Sequence, residues 1–257
     1  MSAYRTPPPK RTPSAKQRID VDAVRSLAIG FVSSAIILAS PQLTFILSPL
    51  MILVHELGHA ATAWLFGYPA IPSFDFIHGG GITLQAEQRF TPIVLVLYAA
   101  WGFGLYRLRQ NIPLSQILLA AGIGYTLCLL TGLEHVLMIG MGHGFELGFA
   151  CLFLYRTLSG VACRIAAERP LYGMLVCYIL LYDLKFAHGL LFNRTTREIY
   201  QQGKGGILDH DFVRLANDYL GIGLSGVVIL FMLACLTTPT FTILFYLNKR
   251  KTSCTSV

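Results

Sequence analysis

Two histidines and a glutamate stand together in His55-Glu56-Leu57-Gly58-His59, inside a run from Leu43 to Phe66 that is otherwise almost wholly apolar. On a helix, His55 and His59 lie four residues apart, so both imidazoles leave one face and can grip a single ion. Glu56 is one step round the helix, where its carboxylate can take a proton from an ion-activated water without being a ligand. Gly58, Ala60 and Ala61 keep the same stretch slim enough for close helix packing. Ionisable side chains at membrane depth are costly, so a functional site outweighs the blander reading of a polar cluster that merely packs helices.

A catalytic zinc takes three protein ligands and keeps one position open, so the histidine pair needs a partner from elsewhere. His143 and Glu146 are three residues apart and share a face if they begin a helix. Gly140, Gly142 and Gly144 around them are expected to break the chain tightly and let backbone approach the ion. Asp183, in Leu180-Leu181-Tyr182-Asp183-Leu184-Lys185 with His188 five residues on, is the alternative ligand. Its structural reading is an ion pair with a basic side chain from another segment. Glu134-His135 reads as a helix end at the interface, His78 beside three glycines as a loop residue, and His210 as solvated.

The elements that must hold these groups are membrane spans. The 257 residues are 54% hydrophobic and 13% charged, far from the composition of a soluble domain. Apolar segments run over about 24–41, 43–66, 93–106, 114–141, 145–163, 171–192 and 219–247, set against a need for roughly 20 residues per crossing. The expectation is an all-α membrane protein, a polytopic bundle of six or seven transmembrane helices. The short segment 93–106 reads as tilted or re-entrant, and Pro239 softens the bounds of the last.

Residues 1–22 read as a basic disordered tail without a cleavable signal, 23–247 as the membrane domain, and 248–257 as a basic C-terminal tail. Arg and Lys in both tails argue that both ends are cytoplasmic, hence an even number of crossings. The net charge of +7 gathers at the ends and in short connections, the pattern of orientation signals rather than of a nucleic-acid surface. The six cysteines show no metal or disulfide spacing and read as small core residues.

Two connections exceed simple turns. Within 67–92, Phe74–Ile77 and Ile82–Gln85 flank a glycine turn and read as a short membrane-associated β-hairpin. Residues 193–218 are rich in charge and read as a solvated polar loop, with a short amphipathic helix from about Asp211.

The pentad His55-Glu56-Leu57-Gly58-His59 in an apolar span, followed by a glycine-bearing hairpin and further spans, resembles the site-2 protease class of intramembrane zinc metallopeptidases, peptidase family M50. The resemblance covers about residues 43–67, with general architecture beyond. It implies His55 and His59 as zinc ligands, Glu56 as general base, and an acidic third ligand from a later span. It further implies that Ile82, Thr83 and Leu84 engage an unwound membrane-protein or peptide substrate by strand addition. The family's third ligand is an aspartate followed by glycine. This chain has no Asp-Gly pair; Glu146-Leu147-Gly148 and His143 stand in its place, with Asp183 the alternative.

The leading expectation is therefore a multi-pass zinc metallopeptidase, with a bacterial inner membrane the general preference. One alternative is a catalytically idle scaffold that holds a membrane partner, supported by the missing Asp-Gly pair. Another is a histidine-box di-iron lipid oxidase, which seven histidines without a His-x-x-His-His box would starve of ligands.

Overall fold

The computed structural model describes residues 20–75, 80–203 and 209–255, with side chains to residue 250. Residues 1–19, 76–79 (including His78 and the last two of the expected Phe74–Ile77 run), 204–208 and 256–257 lie outside the described part.

Helix α1 (Val21–Ala39) begins at Asp20, whose carboxylate accepts from the Asp22 amide. Ser40 ends α1 and caps α2 (Pro41–Leu65), its hydroxyl accepting from the Leu43 amide, with Pro41 in the first turn where its missing N–H costs nothing. Pro49 lies inside α2 and cannot bond the carbonyl of Phe45. The Ser48 hydroxyl donates to that carbonyl at 2.9 Å, so no acceptor is stranded in an apolar setting.

Strands β1 (Ala70–Phe74) and β2 (Gly81–Gln85) pair antiparallel, Ala70 opposite Gln85 and Phe74 opposite Gly81. The first strand thus starts four residues before the expected Phe74–Ile77 run: the Tyr68 amide still bonds the Ala63 carbonyl at the end of α2, and pairing with the second strand begins at once from Pro69. The Asp75 amide donates to the Gly80 carbonyl and the Ala86 amide to the Pro69 carbonyl. By alternation the hydrogen-bonded pairs between them are Ser73–Ile82 and Ile71–Leu84.

Helices α3 (Thr91–Leu108), α4 (Ile112–Thr131), α5 (Leu133–Ser159) and α6 (Glu168–Phe192) follow, then the short α7 (Arg194–Gln201) and α8 (Asp211–Arg214). A π-turn at Leu215–Leu220 extends α8, and α9 (Gly223–Thr255) closes the chain. Seven helices among the described residues, α1 to α6 and α9, are long and apolar enough to cross a membrane. The protein is a multi-pass helical membrane protein with one small hairpin. Its outer surface is apolar, with Phe45, Leu130 and Phe241 among many exposed large side chains, as lipid rather than water requires.

The break expected at Gly140–Gly144 is absent. The chain turns instead at Gly132, φ 74°, and α5 runs unbroken past all three glycines. Close approach is the work of Gly142 and of Gly58 on α2, whereas Gly140 meets nothing within 4 Å. A Cβ at Gly58 would strike the Met141 backbone, and one at Gly142 would strike the rings of His55 and His59. These two absent side chains let α2 and α5 pack face to face. Gly30 likewise meets the backbone of Gly173, and the Ser34 hydroxyl donates to the Gly30 and Met174 carbonyls, joining α1 to α6. The Asp20 carboxylate and Arg169 add an ion pair at 3.0 Å at the end of that helix pair.

Candidate metal centre

The i, i+4 spacing on α2 brings His55 and His59 together as a pair, Nε2 to Nε2 at 3.0 Å. Each ring is held from behind. His59 Nδ1 donates to the Met138 carbonyl at 2.7 Å, and His55 Nδ1 faces Glu146 Oε1 at 3.3 Å. A carbonyl and a carboxylate can only accept, so in the neutral rings Nδ1 carries hydrogen and Nε2 presents a lone pair.

The partner of this pair is Asp211, at the start of α8. Its Oδ2 stands 2.9 Å from His55 Nε2 and 3.1 Å from His59 Nε2. Three electron-pair donors converging within about 3 Å repel one another unless something positive sits among them. Separations of 2.9–3.1 Å are ones that three ligands of a single ion at usual zinc distances, about 2.0–2.2 Å, could keep. When the two rings carry protons on Nε2 in place of an ion, burial pushes the Asp211 carboxyl up, but the hydrogen bonds and charges of His55 and His59 outweigh it and hold the group well below the usual carboxylate range.

Asp211 overturns the reading of 193–218 as a solvated loop. α8 begins at Asp211, where the sequence placed it, but its segment docks into the protein. Phe212, Val213, Leu215 and Ala216 are buried. The Phe212 ring stacks 4.4 Å from His143 and packs against Phe231, and its amide donates to the Tyr200 hydroxyl at 3.3 Å. His210, expected to be solvated, stacks on Tyr200 at 4.3 Å. Burial pushes the Tyr200 hydroxyl well up, and the Asp211 carboxylate adds to this, so the group stays a neutral phenol. The signal was present in Asp211-Phe212-Val213-Arg214-Leu215-Ala216, an acid followed by apolar residues on one helical face. Counting charge over the whole loop hid it.

Glu146 and His143, expected to complete the ligand set, stand behind and beside the pair. Glu146 places Oε1 on His55 Nδ1 and Oε2 2.6 Å from His143 Nδ1. Carboxylates so placed fix the tautomer and orientation of a ligating imidazole. His143 keeps one ring nitrogen within 4.8 Å of the ligand atoms of His55 and Asp211. Asp183, buried on α6, groups with His143 and Glu146 instead; among the described residues no Lys or Arg from another segment pairs with it. His188 stacks on Phe192, away from this cluster. Glu134 lies buried in the first turn of α5 and pairs with Arg89 at 2.6 Å; it does not cap the helix, whose N-cap is Gly132 with no side-chain cap bond.

Glu56, Ile82, Thr83 and Leu84 line the same cavity of about 640 Å³ as the histidines and Asp211. The Thr83 hydroxyl lies 2.6 Å from Glu56 Oε2 and 3.1 Å from the Glu56 carbonyl. A Cβ at Gly81 would strike the Glu56 carboxylate, so β2 rests directly on this acid. The arrangement sets three groups that could hold an ion, an acid that can carry protons and a strand along one cavity.

Comparison of the chain with family models, with curated proteins and with solved structures finds no match in any of the three.

Proposed function

We propose that the protein is a membrane-embedded zinc metallopeptidase of the site-2 protease kind, cutting peptide bonds of membrane-protein substrates. The observation that carries this reading is the convergence of His55 Nε2, His59 Nε2 and Asp211 Oδ2 within 2.9–3.1 Å, with Glu56 on the same cavity. His55, His59 and Asp211 hold the ion. Bound there, zinc supplies a Lewis acid that polarises a carbonyl and makes water acidic near neutral pH.

The chain's own residues do the rest. Glu56 takes a proton from the attacking water and delivers it to the departing amine. Thr83 holds the Glu56 carboxylate, and Glu146 and Met138 hold the imidazoles. A substrate helix closes its backbone hydrogen bonds internally and must be extended to be cut. The edge of β2 at Thr83 and Gln85 can receive such a strand, with Ile82 and Leu84 lining its path.

The membrane we assign is a bacterial inner membrane, with the N-terminus cytoplasmic as the basic tail argues. Both ends inside requires one of the seven apolar helices not to cross. The shortest, α3 with 18 residues, reaches only about 27 Å and is the one we assign. No nucleic-acid partner enters this reading.

Metal analysis of the purified protein, paired with cleavage of a membrane-protein substrate by wild type and Glu56→Gln, tests the proposal. Zinc in both proteins with hydrolysis only in wild type is expected. Iron would favour the oxidase, and equal cleavage by both would overturn the role of Glu56. Zinc with no hydrolysis in either would favour the idle scaffold.

A further inference from the structure

A second set of ligand-type side chains lies beside the first. His143 and Glu146 on α5 and Asp183 on α6 each offer one ligand atom, and these atoms lie within 4.8 Å of one another. Asp183 is 2% exposed and Glu146 is 4% exposed. Structural pairing accounts for Glu146, which divides its oxygens between His55 and His143. It does not account for Asp183. Its Oδ2 is buried without a hydrogen-bond partner among the described residues. Lys185, two residues on, turns instead to the Leu38 carbonyl on α1.

A buried, unpartnered carboxylate oxygen beside a second carboxylate is among the costliest arrangements in an apolar interior unless a proton or a cation joins it, and the ligand-type side chains gathered around Asp183 favour the cation. The wider cavity points the same way. Glu56, Glu146, Asp183, Asp209 and Asp211 all line it, and among the described residues Arg214 is the one Lys or Arg there. A single divalent ion leaves this wall with an excess of negative charge.

We propose that His143, Glu146 and Asp183 bind a second divalent cation next to the His55–His59–Asp211 ion. One imidazole with two carboxylates suits borderline zinc or a harder ion such as manganese. His143 stands within reach of both groups, which fits the roughly 3.5–4 Å separation of two-metal sites. The contact of His143 Nδ1 with Glu146 Oε2 at 2.6 Å must open toward the roughly 3.3 Å that two ligands of one tetrahedral ion keep. A cation there would anchor Glu146 and, through it, the ring of His55.

This proposal goes beyond the single ion of the proposed function, and metal stoichiometry separates the two. The detergent-purified full chain is equilibrated with Zn2+ alone, freed of excess, and its metal content measured. Wild type is expected to hold about two ions, Asp183→Asn about one and His59→Ala about one. A wild type with one ion that Asp183→Asn keeps and His59→Ala loses overturns the second site and leaves the first standing. A wild type with none overturns both. Should Asp183→Asn fail to elute as folded protein, Co2+-loaded wild type decides. Two equivalents with magnetic coupling in the electron paramagnetic resonance spectrum are expected; an isolated single-ion signal at saturation overturns the proposal.

Discussion

His59 and Asp211 are 152 residues apart in the chain and meet at 3.1 Å, Nε2 to Oδ2. The contact ties the end of a long polar connection to the middle of an apolar helix. It makes the folding of residues 209–220 a condition for a complete metal centre.

Removing Asp211 should therefore cost more metal than removing Glu146. Asp211→Ala deletes an atom that faces both Nε2 lone pairs. Glu146→Ala deletes only the group behind His55, a change that typically costs about 10–100-fold in affinity. Zinc competition with a chelator measures both, and equal losses would contradict the geometry.

The docking of Asp211 depends on Phe212, buried between His143 and Phe231. Phe212→Ala should cost about 3–5 kcal/mol where the site cannot collapse. It should also weaken zinc binding although no ligand is touched. Phe212→Leu, which keeps most of the volume, should recover much of the affinity in the same competition assay. If the two variants bind equally, packing does not position Asp211.

Gly142→Ala is a sharper probe. In a helix interior alanine is favoured over glycine by roughly 0.5–1 kcal/mol, yet here its Cβ would meet both imidazoles. The expected variant folds and elutes like wild type but has lost zinc. Full occupancy would mean the rings can retreat without giving up the ion.

Prolines along β2 distinguish the two edges of the hairpin. Ile82 and Leu84 donate toward β1, as their bonded pairing requires. Leu84→Pro should therefore disturb the hairpin itself, and with it the Thr83 contact to Glu56. Gln85→Pro removes a donor from the opposite edge and should lower cleavage of a helical substrate while zinc content stays unchanged. Wild-type cleavage by Gln85→Pro would exclude strand addition at that edge.

Thr83 should act through Glu56. Thr83→Val removes the hydroxyl that lies 2.6 Å from Glu56 Oε2, whereas Thr83→Ser keeps it. The valine variant is expected to lower kcat and displace the pH profile of cleavage, with serine restoring both. A profile unmoved by valine would make the contact purely structural.

The membrane class, the number of apolar helices and the histidine pair were all legible in the residues. Hydropathy and the i, i+4 rule are local properties, and the α2 environment does not alter them. Asp211 was not legible. A ligand from a distant loop is identified by where that loop docks, and the buried faces of Phe212 and Val213, not its charges, decide that. The glycines of α5 were misread for a related reason. Sequence shows that a glycine permits a break or a close approach, and only a facing helix decides which. Gly132, at φ 74°, became the turn; Gly142, pressed by α2, became the space around the imidazoles, and Gly140, with nothing near it, remained ordinary helix. The grouping of Asp183 with Glu146 likewise needed α5 and α6 side by side, since two carboxylates on separate spans carry no mark in the chain of being neighbours.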